Sequence, residues 1–189
     1  MTQVETLLAD PYAFYARNVL RLRPLEPLDA EAGALDYGNL VHVALRDFIA
    51  RLSAQPWPGA DAARALWDAA SAAALAAEAP RPGLAAFWAP RLARIGNFVL
   101  RQEAELRGHE GPLRSLVEVS GRLLLRLPDG EVEVIAKADR IDLLADGSLR
   151  LLDYKTGKPP GPKKVESGEK PQLSLEAMIA ANVAGILGA

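Results

Sequence analysis

The sequence has no cysteine and only two histidines in 189 residues. The first absence excludes disulfides, thiolate zinc sites and iron–sulphur clusters, and it is compatible with a cytoplasmic chain. Aromatic residues make up 6% of the total, so the core must be built largely from aliphatic side chains and alanine. No apolar run reaches the roughly 18 residues that span a bilayer, and a membrane role is not expected. The first residues lack the basic segment and apolar core of a secretory signal. An excess of positive charge is missing too. The formal net charge is −2, so any grip on a polyanion has to be local.

What remains is half hydrophobic and a quarter charged, the composition of a globular protein with one good core. Helices are predicted over residues 2–8 and 11–20, the second capped by Asp10 with Pro11 at its first position. Tyr12, Phe14, Tyr15, Val19 and Leu20 would give it an aromatic packing face. Residues 21–29 read as an extended connector because of Pro24 and Pro27. A long helix follows over 33–52, with Leu35, Leu40, Val41, Ala44, Leu45, Phe48 and Ile49 at helical spacing. Prolines 56 and 58 end it. An alanine-rich helix over 61–79 offers Leu66, Trp67 and Leu75 for burial. After a break at 80–83, a helix over 84–107 directs Trp88, Leu92, Ile95, Phe98 and Val99 inward, with a bend expected near Pro90. From Leu113 the period changes from helix to strand. Strands are predicted over 116–127, 131–144 and 149–155, joined by turns at Asp129-Gly130 and Asp146-Gly147. A loop over 156–170 and a helix opening at Pro171 complete the chain.

The chemistry concentrates in the last two strands. Asp139 lies near the end of one apolar segment, and Asp153 and Lys155 near the end of the next. Read as strand residues, Asp153 and Lys155 share a face with Leu149 and Leu151, while Leu152 and Tyr154 take the other. The segment before Asp153 is apolar on both faces, as in a covered central strand. Two carboxylates and an ammonium placed there together suit hard oxygen ligation of Mg²⁺ beside a phosphate and an activated water. Asp-x-Lys also occurs in exposed hairpins, where it is a weak ion pair.

Other candidates admit two readings on the residues alone. His42 is either a packed or solvated helical histidine or a ligand; Gly38 one turn earlier leaves the backbone bare on its side. Glu118 points either towards the same site or into solvent. Lys158, Lys163, Lys164 and Lys170 form either a solvated loop or a phosphate grip. Gln172 falls in the first turn of the last helix, where its amide can reach back. His109 carries no assignment.

In this order, Asp10-Pro11-Tyr12, Gly38-x-x-x-His42, Glu118, Ala138-Asp139-Arg140-Ile141-Asp142, Asp153-Tyr154-Lys155-Thr156-Gly157 and Pro171-Gln172-Leu173 resemble the C-terminal nuclease domain of RecB/AddB-type helicase–nucleases, within the PD-(D/E)XK superfamily. The likeness is greatest to the cysteine-free AddB type of alphaproteobacteria. It implies an α+β fold, an α/β sandwich with a restriction-endonuclease-like core. A mixed sheet, its three-strand meander recognisable, would be flanked by helices, with a helical N-terminal region. Residues 1–189 would be a single nuclease domain, 1–110 mainly helical and carrying His42, 111–189 carrying the meander, basic loop and helix. It would be a piece of a longer chain.

By the same resemblance, His42, Asp139 and Asp153 are metal ligands with the Tyr154 carbonyl. Lys155 is the catalytic lysine, Gln172 supports the site and Glu118 is an auxiliary acid. The implied cofactor is Mg²⁺ or Mn²⁺. The implied substrate is a DNA strand from an unwound duplex, and the implied partners are the helicase part of the same subunit and an AddA-like motor. Many relatives hold an iron–sulphur cluster on four cysteines, absent here. Many also have a tyrosine where Glu176 stands. A catalytically silent DNA-binding or scaffolding module and a stand-alone Cas4-like nuclease are the alternatives.

Overall fold

In a computed structural model, residues 2–25, 32–53, 57–79, 81–128 and 130–187 are described. The elements follow in the order α1 (Thr2–Ala9), α2 (Pro11–Phe14) continuing as a π-helical turn (Tyr15–Val19), α3 (Ala34–Ser53), α4 (Ala60–Glu78), α5 (Pro82–Glu110), β1 (Arg114–Leu127), β2 (Gly130–Leu143), β3 (Leu149–Leu152), α6 (Pro162–Glu166) and α7 (Gln172–Leu187). The α+β class expected from the sequence is present. The three strands form one meander in the order β1-β2-β3. β2 and β3 are antiparallel, with Arg140 opposite Leu152 and Leu143 opposite Leu149. No described helix is long and apolar enough to cross a membrane.

The described residues divide into two compact units. One draws on residues 32–119 and 138–156. Its core follows from helical spacing. Leu40, Val41, Ala44, Leu45, Phe48, Ile49 and Leu52 recur every three or four residues along α3, and all are buried. α4 meets them with Ala63, Trp67, Ala70 and Ala74, so alanine supplies most of its buried positions and lets neighbouring helices approach. Trp67 packs edge-on against Phe48, ring centroids 5.5 Å apart. On α5, Gly96 faces this indole. A Cβ there would stand 2.1 Å from Trp67 Nε1, so glycine is required by the crossing itself. Each large side chain buried here contributes about 1.5–3 kcal/mol. Val117 of β1 and Tyr154 beyond β3 pack against the same cluster.

The other unit draws on residues 1–31, 120–137 and 157–189. Asp10 caps α2 as expected, its carboxylate accepting from the Ala13 amide at 2.9 Å. α7 lies so close to β1 that a Cβ on Gly121 would fall 2.3 Å from Ile179 Cγ2. Lys170 reaches Glu5 at 2.8 Å.

Several expectations need correction. β3 ends at Leu152, so Asp153, Tyr154 and Lys155 are not strand residues and do not alternate faces. The cause is local: the Tyr154 amide donates to the Asp139 carboxylate at 2.8 Å instead of continuing the ladder. β3 is also an edge of the described sheet rather than a covered central strand, and its four residues are half-buried. Tyr12, Tyr15, Val19 and Leu20 are exposed, not core, and so are Leu35 on α3 and Phe98 on α5. The loop over 156–170 contains the short helix α6. α5 runs unbroken through Pro90 and takes in His109. The parts of the expected connector and breaks at residues 26–31, 54–56 and 80, and Asp129 of the first turn, lie outside the described residues.

Candidate functional site

β2 is the spine of the site because its alternation sends charges in two directions. Asp139 points to one face, and Arg140 and Asp142, neighbours of opposite parity, put charge elsewhere. From α3, His42 Nδ1 lies 3.5 Å from Asp139 Oδ2. Glu118 joins them: one ligand atom each from His42, Glu118 and Asp139 lies within 4.8 Å of the others. Glu118 does so with a φ of +56°, a left-handed backbone that costs a residue with a side chain roughly 1–3 kcal/mol. Asp153 stands beside this trio with its carboxylate on Lys155 Nζ at 2.9 Å, the acid 9% and the amine 41% exposed. Gly38 faces Thr156, whose hydroxyl would be 3.7 Å from an added Cβ. The segment after Lys155 is thus what approaches α3 beside His42.

The electrostatics of this cluster are set by its internal hydrogen bonds, by burial and by the neighbouring charges. The hydrogen bond with Asp139 raises the His42 imidazole above its ordinary value; burial opposes this, and the charges of Asp139 and Asp153 add to it. Burial pushes the Asp139 carboxyl up, but hydrogen bonds from His42 and the Tyr154 amide outweigh it and leave the group below its ordinary range. Two or three carboxylates and one imidazole with small mutual separations are a donor set that fits a hard or borderline divalent ion.

Beneath Asp139 is a second, buried charge cluster. Arg140 is fully buried, its Nε donating to Asp142 Oδ1 at 2.6 Å. Its other nitrogens donate to both carboxylate oxygens of Glu103 on α5 and to the Tyr154 hydroxyl at 3.3 Å. Arg107 closes the network on Glu103 at 3.1 Å. Two arginines face two carboxylates, so the cluster is neutral overall, as burial requires. Arg140, itself held by Glu103, donates to the hydroxyl of the tyrosine whose amide is bonded to Asp139. Burial keeps that phenol above its ordinary value.

Residues 1–185 match the PD-(D/E)XK nuclease superfamily over nearly the whole chain. This chain belongs to the PD-(D/E)XK nuclease superfamily. Its members are typically divalent-metal-dependent nucleases, and the α+β architecture with a three-stranded antiparallel meander is consistent with their core. An uncharacterized protein of Rickettsia bellii is 28% identical over 179 residues, covering 95% of this chain and 21% of the relative. Uncharacterized proteins of Rickettsia conorii and Rickettsia typhi are 28% and 26% identical over 181 residues, with the same coverage. The chain therefore spans about a fifth of the length of the curated relatives it matches.

Within this PD-(D/E)XK chain, His42, Glu118, Asp139, Tyr154, Asp153 and Lys155 all fall in one compact unit. The remaining expected residues fall in the other. Gln172 is the first residue of α7 and its amide donates to Glu176 at 3.1 Å. Lys158, Lys163, Lys164 and Lys170 are exposed, with Lys163 and Lys164 on α6 and Lys164 paired to Glu169 at 3.6 Å. Sequence reasoning missed Glu103 and Arg140 as supports. The available signal was Arg140-x-Asp142, two opposite charges on one face of an apolar strand.

Proposed function

We propose that this chain is a metal-dependent deoxyribonuclease domain that hydrolyses phosphodiesters of single-stranded DNA. We place it in an AddB-type helicase–nuclease acting in the cytoplasm on broken duplex ends, as one folded part of a longer subunit partnered by an AddA-like motor. The observation that carries the reading is the convergence of His42, Glu118 and Asp139 beside the Asp153–Lys155 pair, in a chain of the PD-(D/E)XK superfamily.

Asp139, Asp153 and His42, with Glu118 and the Tyr154 carbonyl, would hold Mg²⁺ or Mn²⁺; the imidazole suits Mn²⁺ at least as well. Such an ion supplies positive charge to the phosphoryl oxygens and makes a nearby water more acidic. The protein's own part is positioning. Lys155, the most exposed charged group of the set, would donate to the attacking water and to a phosphate oxygen. Asp153 would hold the ammonium in place through their ion pair. Asp139, anchored by the Tyr154 amide, would fix the turn that presents Lys155. Gln172 would support the site, and Lys158, Lys163, Lys164 and Lys170 would contact the phosphate backbone.

The test is cleavage of end-labelled single-stranded DNA in Mg²⁺ or Mn²⁺ by the native chain, Asp153→Ala and Lys155→Ala. Each variant is expected to lose about 10²–10³-fold in rate with its circular dichroism unchanged. Cleavage that persists in both variants refutes the assignment. An inert native chain that still binds Mn²⁺ through Asp153, by calorimetry, would point to a sound site needing the rest of its subunit. Absence of any binding would favour a scaffolding module.

A further inference from the structure

One face of α5 is neither core nor ordinary solvent surface. Phe87, Arg91, Arg94, Phe98 and Arg101 follow one another at steps of four, three, four and three residues, which places all five in a single stripe along the helix. All five are exposed, the two phenylalanines at 62% and 57%. The opposite face carries the buried Trp88, Leu92 and Val99. Between Glu78 and Glu103 the chain has Arg81, Arg91, Arg94 and Arg101 and no acidic residue, in a protein of net charge −2. Arg64 of α4 adds a further cation next to the stripe by donating to the Asn97 side chain.

The stripe starts at the catalytic end of its unit. The Arg91 guanidinium lies over the Phe87 ring, 4.9 Å from its centre, and over the Tyr37 ring at 5.5 Å, two cation–π contacts. Tyr37 immediately precedes Gly38, whose bare backbone faces Thr156, and His42 follows one turn later on α3.

Exposed rings alternating with cations, without acids, match one ligand chemistry: a flexible polyanion with stackable faces. A partner protein helix would need an apolar stripe, which the arginines interrupt, and duplex DNA offers no free base faces. We propose that the Phe87–Arg101 face of α5 is a track for single-stranded nucleic acid that leads it to the His42–Asp139–Lys155 site. At a rise of about 1.5 Å per residue the stripe is about 21 Å long, room for roughly six stacked nucleotides. The choice of ligand rests on the nuclease reading, whereas the track itself is tested apart from cleavage.

The experiment is fluorescence anisotropy of a dye-labelled 20-nucleotide oligothymidylate with the full chain in EDTA, where no hydrolysis occurs. Phe87→Leu/Phe98→Leu keeps the apolar volume but removes the stacking faces, and is expected to weaken binding at least about 25-fold. Phe87→Tyr/Phe98→Tyr keeps them and is expected to bind within about threefold of native. Arg91→Ala/Arg94→Ala is expected to reduce the slope of log K against log salt by about 1.4. If the native chain does not bind, or the leucine pair binds as tightly as native, the track is wrong. Binding that depends on the stripe in a chain that neither cleaves DNA nor binds Mn²⁺ would retain the track and sink the nuclease reading. Native cleavage with stripe variants that bind and cut normally would do the reverse.

Discussion

Arg140→Met tests whether the buried charge cluster holds up the site. The native guanidinium is fully buried, with Asp142 fully buried and Glu103 4% exposed. Methionine fills much of the same volume but donates nothing. Glu103 would keep Arg107 at 3.1 Å, whereas Asp142 would lose the partner it holds at 2.6 Å and remain a charge inside protein. Removing one member of a buried ion pair costs about 3–5 kcal/mol, a large share of the roughly 5–15 kcal/mol that stabilises a domain. For a chain of this length that corresponds to a drop in Tm of about 6–20 °C. Tryptophan fluorescence during urea unfolding is the right probe, because Trp57, Trp67 and Trp88 all belong to the unit that contains Arg140. Adding Asp142→Leu to Arg140→Met is expected to restore about 1–3 kcal/mol by removing the orphaned carboxylate. A loss below about 1 kcal/mol for Arg140→Met, or no recovery in the double variant, would refute a desolvated network in which Arg140 is the partner of Asp142.

Gly96→Ala should destabilise the protein by about 1–3 kcal/mol despite alanine's better helix propensity, because the new methyl meets the Trp67 indole; thermal melting checks it, and an unchanged or raised Tm would refute the crossing. The His42–Asp139 pair makes two opposed pH contributions in the metal-free protein. The raised imidazole stabilises below its ordinary 6.5 and loses that contribution as pH rises through its folded value. The lowered carboxyl stabilises above its ordinary 3.8 and loses it as pH falls through its folded value, so the pair contributes most between about pH 4 and 6.5. Divalent-ion affinity should run the other way, rising by about tenfold per pH unit until His42 is neutral and then levelling off. Calorimetry at several pH values reads this slope, and His42→Ala should flatten it.

That Asp139, Asp153 and Lys155 lie near one another was legible because charges at the ends of apolar segments demand an explanation. Glu118 was not decidable from alternation, since its positive φ breaks the two-residue period on which such an argument depends. Glu103 stayed hidden for a different reason. It sits 37 residues from Arg140, and its partner Arg107 at i+4 reads in the sequence as an ordinary helical ion pair. Small residues misled in both directions. The alanines of α4 looked like helix propensity alone, yet Ala63, Ala70 and Ala74 are its core face. Phe98 looked like core, although Gly96 and Val99 already fill that side of α5.

Tyr154 explains why the two charge clusters occur together. Its backbone amide is spent on Asp139, which ends β3 one residue before Asp153 and turns Lys155 out towards solvent. A turn held by one hydrogen bond would be loose, and a lysine proposed to orient a water has to be placed to a fraction of an ångström. The second hold is at the other end of the same residue, where the phenol accepts from Arg140 while its ring packs on the helical core. Arg140 and Asp139 are adjacent, so the strand's alternation assigns one to the hidden clamp and the other to the open site. A change at Glu103, buried on a helix and remote in sequence, therefore reaches Lys155 through only Arg140 and Tyr154. In this arrangement a buried ion cluster, neutral and weakly stabilising in itself, earns its place by making the exposed charges precise in position.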